Sequence, residues 1–303
     1  MKKGMFLLTV AIVALSFVFL VGCGGDAPTV TVGAKNFTEQ YVMGNMISLL
    51  LDNAGIETNQ QFGMSSQAVR NALETQQVDL YADYTGTGWL VYLGHEESIN
   101  DPAQLWEELQ AEDAEQNDII WFERTPVNNT YALAVESSFA EENGLESLSD
   151  LAEMVNSDPE AVTFGIGFEF FERPDGFPAL SEAYGMDVPQ GQVRTMELGL
   201  TYDAIAQGDI DVAMVFATDG KLREYDLVVL DDNENFFTPY NLAVCATQEV
   251  LDEVDGIQEA LDPLSDVLTA DVMIELNYQV DAEGMEPEAV AREFLVSEGL
   301  IEG

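Results

Sequence analysis

Along the chain, short alternating apolar stretches are interleaved with longer stretches at helical spacing. Val30-Thr31-Val32-Gly33-Ala34 alternates and stops at a turn residue, which predicts a strand. Tyr41, Met43, Met46, Ile47, Leu50 and Leu51 then recur at helical spacing behind Thr38, a candidate N-cap. Ser65 to Thr75 reads as a second helix, with Ala68, Val69, Ala72 and Leu73 inward. Val78-Asp79-Leu80-Tyr81-Ala82 follows as a short strand ending at a glycine turn, Asp83-Tyr84-Thr85-Gly86-Thr87, in which Gly86 lets the backbone bend and a ligand come close. Asp101 to Glu115 opens on Asp-Pro as a further helix. Strand and helix alternating at this spacing predict an α/β fold with a mainly parallel sheet.

A second series starts after Asn128-Asn129-Thr130 with the apolar strand Tyr131 to Val135. The pattern then predicts a helix over Leu148 to Val155, a strand over Thr163 to Gly167, a helix over Met196 to Ile205, and strands over Ile210 to Phe216 and Leu227 to Leu230. The acidic stretch Asp231 to Asn235 reads as a solvated loop. Leu242 to Ala246 reads as a strand returning to the first lobe, completed by helices over Val250 to Leu261, Leu264 to Tyr278 and Pro287 to Glu298. A chain of this length exceeds the usual single domain. Two lobes are therefore expected, one of residues 29–128 and 243–303, the other of residues 129–242.

Residues 1–22 stand apart from this pattern. Lys2 and Lys3 precede the apolar run Met5 to Val21, and Leu20-Val21-Gly22-Cys23 closes it. The run is slightly short of the ~20 residues that a bilayer span needs. Its ending is that of a bacterial lipoprotein signal peptide, in which Cys23 becomes the lipidated first residue. Residues 23–28 then form a short tether, and the expected location is the outer face of the cytoplasmic membrane. With Cys23 lipidated, Cys245 has no disulfide partner, and its apolar neighbours predict a buried small hydrophobe.

Charge changes the picture further. The chain carries 10 Lys+Arg against 56 Asp+Glu, a formal net charge of −46, which argues against nucleic acid as a partner. The acids are spread along the chain, and no Asp-x-Asp-x-Asp-Gly calcium loop appears. A diffuse acidic surface fits adaptation to high salt, where screening removes self-repulsion. After the leader only Lys35 and Lys221 remain as lysines. Lys35 falls in the loop between the first strand and first helix, where α/β sheets place ligands, and both a surface and a ligand-facing lysine fit that position. Arg173 also follows a strand, and both a ligand contact and a salt bridge fit it. His95 lies in a polar stretch away from any nucleophile motif, and no Gly-x-Ser-x-Gly, Walker loop or Gly-x-Gly-x-x-Gly is present. The chain thus lacks the nucleophile, cofactor and metal motifs that most enzymes carry, and catalysis by scattered carboxylates stays open as an alternative.

Five segments occur in the order and spacing of one family: Ala34 to Tyr41, Asp83 to Thr87, Asn128 to Leu133, Arg173 to Gly176, and Leu276 to Val280. Over about residues 29–300 the chain resembles the substrate-binding proteins of ABC importers for glycine betaine and related quaternary-ammonium osmoprotectants. The resemblance implies a type II periplasmic-binding-protein fold, two lobes with a hinge and a ligand cleft between them. It implies an ABC permease with its ATPase as partner and a betaine-type ligand. By motif, Tyr84, Tyr131 and Tyr240 match walls of the family's aromatic cage, and Phe216 stands where relatives have tyrosine. Lys35, Thr87 and Arg173 match the donors to the ligand carboxylate. Ring faces suit an ammonium that cannot donate a hydrogen bond, and charge-assisted donors suit a carboxylate. Choline or carnitine, a non-transport osmolyte sensor, an enzyme on the same architecture and a calcium-stabilised adhesin are the alternatives.

Overall fold

The computed structural model describes residues 29–172 and 176–302; the leader, Cys23, its tether and Arg173 lie outside the described residues. Among these residues, ten strands form two five-stranded sheets. The first contains β1 (Val30–Lys35), β2 (Thr58–Met64), β3 (Leu80–Tyr84), β4 (Ile119–Trp121) and β10 (Leu242–Thr247), in the order β2-β1-β3-β10-β4. The second contains β5 (Tyr131–Glu136), β6 (Phe164–Gly167), β7 (Val193–Met196), β8 (Val212–Phe216) and β9 (Leu227–Val229), in the order β7-β6-β8-β5-β9. This is the two-lobed type II arrangement.

Both sheets are mixed, with four strands of each running one way and one strand running against them. β1 pairs parallel with β2 and β3, but β10 runs antiparallel to both β3 and β4. Likewise β6 pairs parallel with β7 and β8, while β5 runs antiparallel to β8 and β9. The reversed strands are the two that enter a sheet from the other sheet's side, so they lack the helical crossover that makes neighbours parallel. The crossings are stitched together where Asn128 bridges Asn241. Asn129 N donates to Tyr240 O at 3.1 Å, and Leu242 N to Val127 O at 2.9 Å.

Apolar clusters cover both faces of both sheets. Val32, Met43, Leu80, Leu242 and Val290 belong to one face of the first sheet, and Leu73, Tyr81, Trp121 and Cys245 to the other. Leu133, Leu151, Phe164 and Leu180 pack on one face of the second, and Tyr202, Ile205 and Val215 on the other. Each lobe thus has its own core, and burial on both faces explains strands that read as near-continuous apolar runs. Cys245 is a buried free thiol.

Several elements differ from the pattern-based expectation. β2, Thr-Asn-Gln-Gln-Phe-Gly-Met, is missing from it because this edge strand is polar and half exposed, with no apolar face to alternate. Val193–Met196 is strand, and the following helix begins at Leu198. The helix expected over Val250 to Leu261 is broken at Gly256, whose φ of 93° lies in the left-handed region. The next is broken before Ala270, where the Thr269 hydroxyl caps a new helix, Ala270–Asp281. Thr38 is not an N-cap: it is the first residue of α1 (Thr38–Asn53), and its hydroxyl donates to Asp281 Oδ1 at 2.6 Å. The acidic loop is more than solvated, since Asp232 accepts from the backbone of Phe236 and Phe237 at 2.9 and 2.8 Å and from the Tyr184 hydroxyl.

Candidate functional site

The segment Asp83 to Thr87 is not a glycine turn. Asp83 and Tyr84 end β3, and Thr85 begins a helical segment directly. Gly86 is required by a close approach: a Cβ there would lie 2.8 Å from Pro239 O and 2.9 Å from the Tyr240 ring. What comes close to Gly86 is therefore the returning crossing segment, which places Tyr240 beside Tyr84. Thr85 Oγ1 donates to Pro239 O at 3.2 Å and accepts from Asn241 N at 3.1 Å. Asn128 Oδ1 accepts from Tyr240 N at 2.7 Å.

Lys35, at the end of β1, is buried and paired with the buried Asp83. Asp83 also accepts from the Tyr81 hydroxyl at 2.5 Å, the Tyr92 hydroxyl at 2.9 Å and the Tyr84 backbone at 2.7 Å. Both phenols are held well above their ordinary pKa, first by burial and then by the Asp83 charge. The Lys35 ammonium also sits 4.9 Å from the Tyr84 ring centroid. An ammonium has three donors, so the bond to Asp83 leaves capacity for another acceptor.

Lys35, Tyr84 and Thr87 of the first lobe and Phe216 at the end of β8 line one cavity of about 510 Å³ together with Tyr240 of the crossing. Tyr131 does not line it. It lines an adjoining cavity of about 760 Å³, which shares Asn129, Phe216 and Tyr240 with the first. Tyr131 lies opposite Phe216 in the antiparallel β5/β8 register, and their rings stack with centroids 5.2 Å apart. Arg173, matched to the ligand carboxylate by motif, lies outside the described residues.

Phe37 and Glu39 are among the other residues that line the same cavity. Phe37 stacks over Tyr84, with centroids 6.3 Å apart and planes 19° from parallel, yet remains 38% exposed. Phe216 is 39% exposed from the opposite lobe. Phe37 stands inside the first family segment, and a phenyl in a strand-to-helix loop is the signal that marks it. Glu39 is buried in the first turn of α1. It accepts from the Tyr84 hydroxyl at 2.5 Å, from Asn129 Nδ2 at 3.2 Å and from Asn277 Nδ2 at 3.3 Å. The Thr218 hydroxyl is also hydrogen-bonded to it. Burial pushes the Glu39 carboxyl above its ordinary pKa, and these hydrogen bonds only partly oppose that. Periodicity gives no hint of Glu39, because an acid in a first helical turn is ordinary.

A cleft between two α/β lobes joined by paired crossings, with rings and polar groups converging from both sides, defines a bilobal solute-binding protein. Residues 28–297 match the model of the substrate-binding domain of ABC-type glycine betaine transport systems, and the chain belongs to that family, whose members are binding components of importers rather than enzymes. It is similar to a glycine-betaine-binding protein of Pseudomonas aeruginosa, 32% identical and covering 91% of this chain and 90% of that one. It is similar also to the carnitine transport binding protein OpuCC of Listeria monocytogenes, 30% identical over 100% of this chain and 99% of that one. A solved glycine betaine/carnitine/choline ABC transporter protein superposes with a TM-score of 0.84, at 30% identity, covering 89% of this chain and 99% of that one.

Proposed function

We propose that the protein captures glycine betaine, or a closely related betaine, outside the cytoplasmic membrane and delivers it to an ABC permease with its ATPase. The observation that carries this reading is the single cavity in which Tyr84, Phe216 and Tyr240 meet Lys35 and Thr87. The trimethylammonium group is caged by Tyr84, Phe216 and Tyr240, with Tyr131 backing Phe216 from the adjoining cavity, and each desolvated ring face contributes ~0.5 to 2 kcal/mol. Its carboxylate is held by Lys35, Thr87 and Arg173. Residues 129–242 close against residues 29–128 and 243–303 about the paired crossings, and ligand contact with both lobes favours the closed form. Lipid on Cys23 tethers the chain, and the net charge of −46 fits a salt-rich exterior. Carnitine is the second reading, favoured by the similarity to OpuCC.

The test is calorimetric titration of protein lacking Cys23 with glycine betaine, carnitine and choline at high salt. Glycine betaine is expected to bind most tightly of the three, and Tyr84→Ala to abolish binding. Choline binding more tightly than glycine betaine would falsify the carboxylate clamp. The melting temperature of the same protein rises between low and molar salt; a flat profile removes the salt-adaptation proposal.

A further inference from the structure

Glu39 is not among the residues that motif matching places in the site, yet four donors converge on it from elements that meet only at the cleft. Tyr84 comes from β3, Asn129 from the outgoing crossing, Thr218 from the loop after β8 in the second lobe, and Asn277 from the helix Ala270–Asp281. Asn277 Nδ2 additionally donates to Thr218 O at 2.8 Å, so the amide ties that loop to the same point. Gly220 of that loop sits directly on the backbone of the helix, where a Cβ would fall 2.5 Å from Tyr278 N. Glu39 therefore lies where the cage, the crossing and the second lobe join.

A carboxylate is a poor choice for a purely structural node. Its partners are neutral hydroxyl or amide donors that a buried neutral acceptor would also satisfy, and no cation is paired with Glu39 among the described residues. The cavity it lines contains one lysine, already paired with Asp83, and also Asp219 and Asp281. The closest bond Glu39 makes is to the hydroxyl of a cage tyrosine. A phenol donating to a carboxylate carries more electron density into its ring, and the carboxylate's own field acts at the ring face.

We infer that Glu39 is a positioning residue that sets ligand charge preference: through Tyr84 it supplies the negative potential felt by the quaternary ammonium, while its bonds to Asn129, Thr218 and Asn277 hold the lobes around that group. This rests on the betaine reading of the cavity. It makes the cage a stronger site for the cationic end of a ligand than its rings alone, and it penalises loss of the charge most for a ligand with no compensating carboxylate.

The experiment compares glycine betaine and choline, by direct and competition calorimetry, on the wild-type chain and on Glu39→Gln. Removing one unit charge near an ammonium weakens choline by ~10-fold or more, whereas the zwitterion, whose own carboxylate partly cancels the change, weakens by ~3-fold or less. A purely structural role moves both affinities by the same factor, and equal factors overturn the inference. If wild-type protein binds neither ligand, the betaine reading itself falls instead. Should Glu39→Gln not fold, the wild-type protein supplies the second measurement. A raised carboxylate pKa means the charge is lost as pH falls through it, so choline affinity declines on acidification more steeply than glycine betaine affinity. The other titratable groups lining the same cavity are Tyr84 of β3, Lys35 of β1 with its partner Asp83, Asp219 after β8 and Asp281 at the end of the helix Ala270–Asp281. The pH comparison is therefore repeated on Asp281→Asn, because burial also raises Asp281. Persistence of the choline-specific decline there supports Glu39, and its disappearance, or parallel pH curves for the two ligands, overturns the assignment.

Discussion

The two lobes meet the cleft with unlike walls. The first presents a hydrogen-bonded set: Lys35 to Asp83, Tyr81 and Tyr92 to Asp83, and Tyr84 to Glu39. The second presents rings in sequence, with Tyr131 stacked on Phe216 and tilted on Phe170, and Phe170 against Phe237. Buried polar networks hold side chains in one geometry because each partner left alone is expensive. Ring contacts are non-directional by comparison and tolerate small displacements. The first wall is thus a fixed array of charged and polar groups, while the second is apolar surface that tolerates small shifts of its rings.

Breaking the polar wall has the largest expected effect. Asp83→Asn leaves Lys35 as a buried charge without its counter-charge, and losing one partner of such a pair costs about 3 kcal/mol or more. Thermal unfolding then shows a fall in melting temperature on the order of 10 °C, taking ~2–4 °C per kcal/mol for a chain of this size. An unchanged midpoint means that the network is not what orders this wall. Disturbing the ring wall changes affinity rather than stability. Phe216 is half exposed, so Phe216→Ala keeps the fold and weakens glycine betaine roughly 10- to 30-fold, while Phe216→Tyr stays within ~3-fold. The smallest effect belongs to Phe37, which faces the cavity from the polar side. Phe37→Ala lowers affinity ~3-fold, read in the same titration, and a larger loss than at Phe216 reverses the assignment of roles to the two walls.

The legibility of these walls from sequence is uneven for physical reasons. Tyr84, Tyr240 and Lys35 stand out because motif and loop position coincide, and the structure places them on one cavity. Tyr131 is marked by motif but sits beyond Phe216 in the adjoining space, since strand register decides which side of a ring a neighbour occupies. Gly86 suggests turn geometry, yet its constraint comes from a segment more than 150 positions further along the chain. Glu39 is invisible to periodicity because nothing local marks an acid in a first helical turn as buried, and its four donors come from distant stretches.

Local pattern in the chain is enough to specify the alternation of strands and helices, two self-sufficient cores, the family motifs and the excess of acid, because each depends on periodicity, composition or short spacing. Only the folded arrangement decides that the sheets are mixed, that Lys35 is neutralised by Asp83, that an exposed phenyl from each lobe faces one cavity, and that Tyr84, Asn129 and Asn277 converge on Glu39. Those are pairings between residues far apart in the chain, fixed only once the strands have paired and the crossings run between the two sheets.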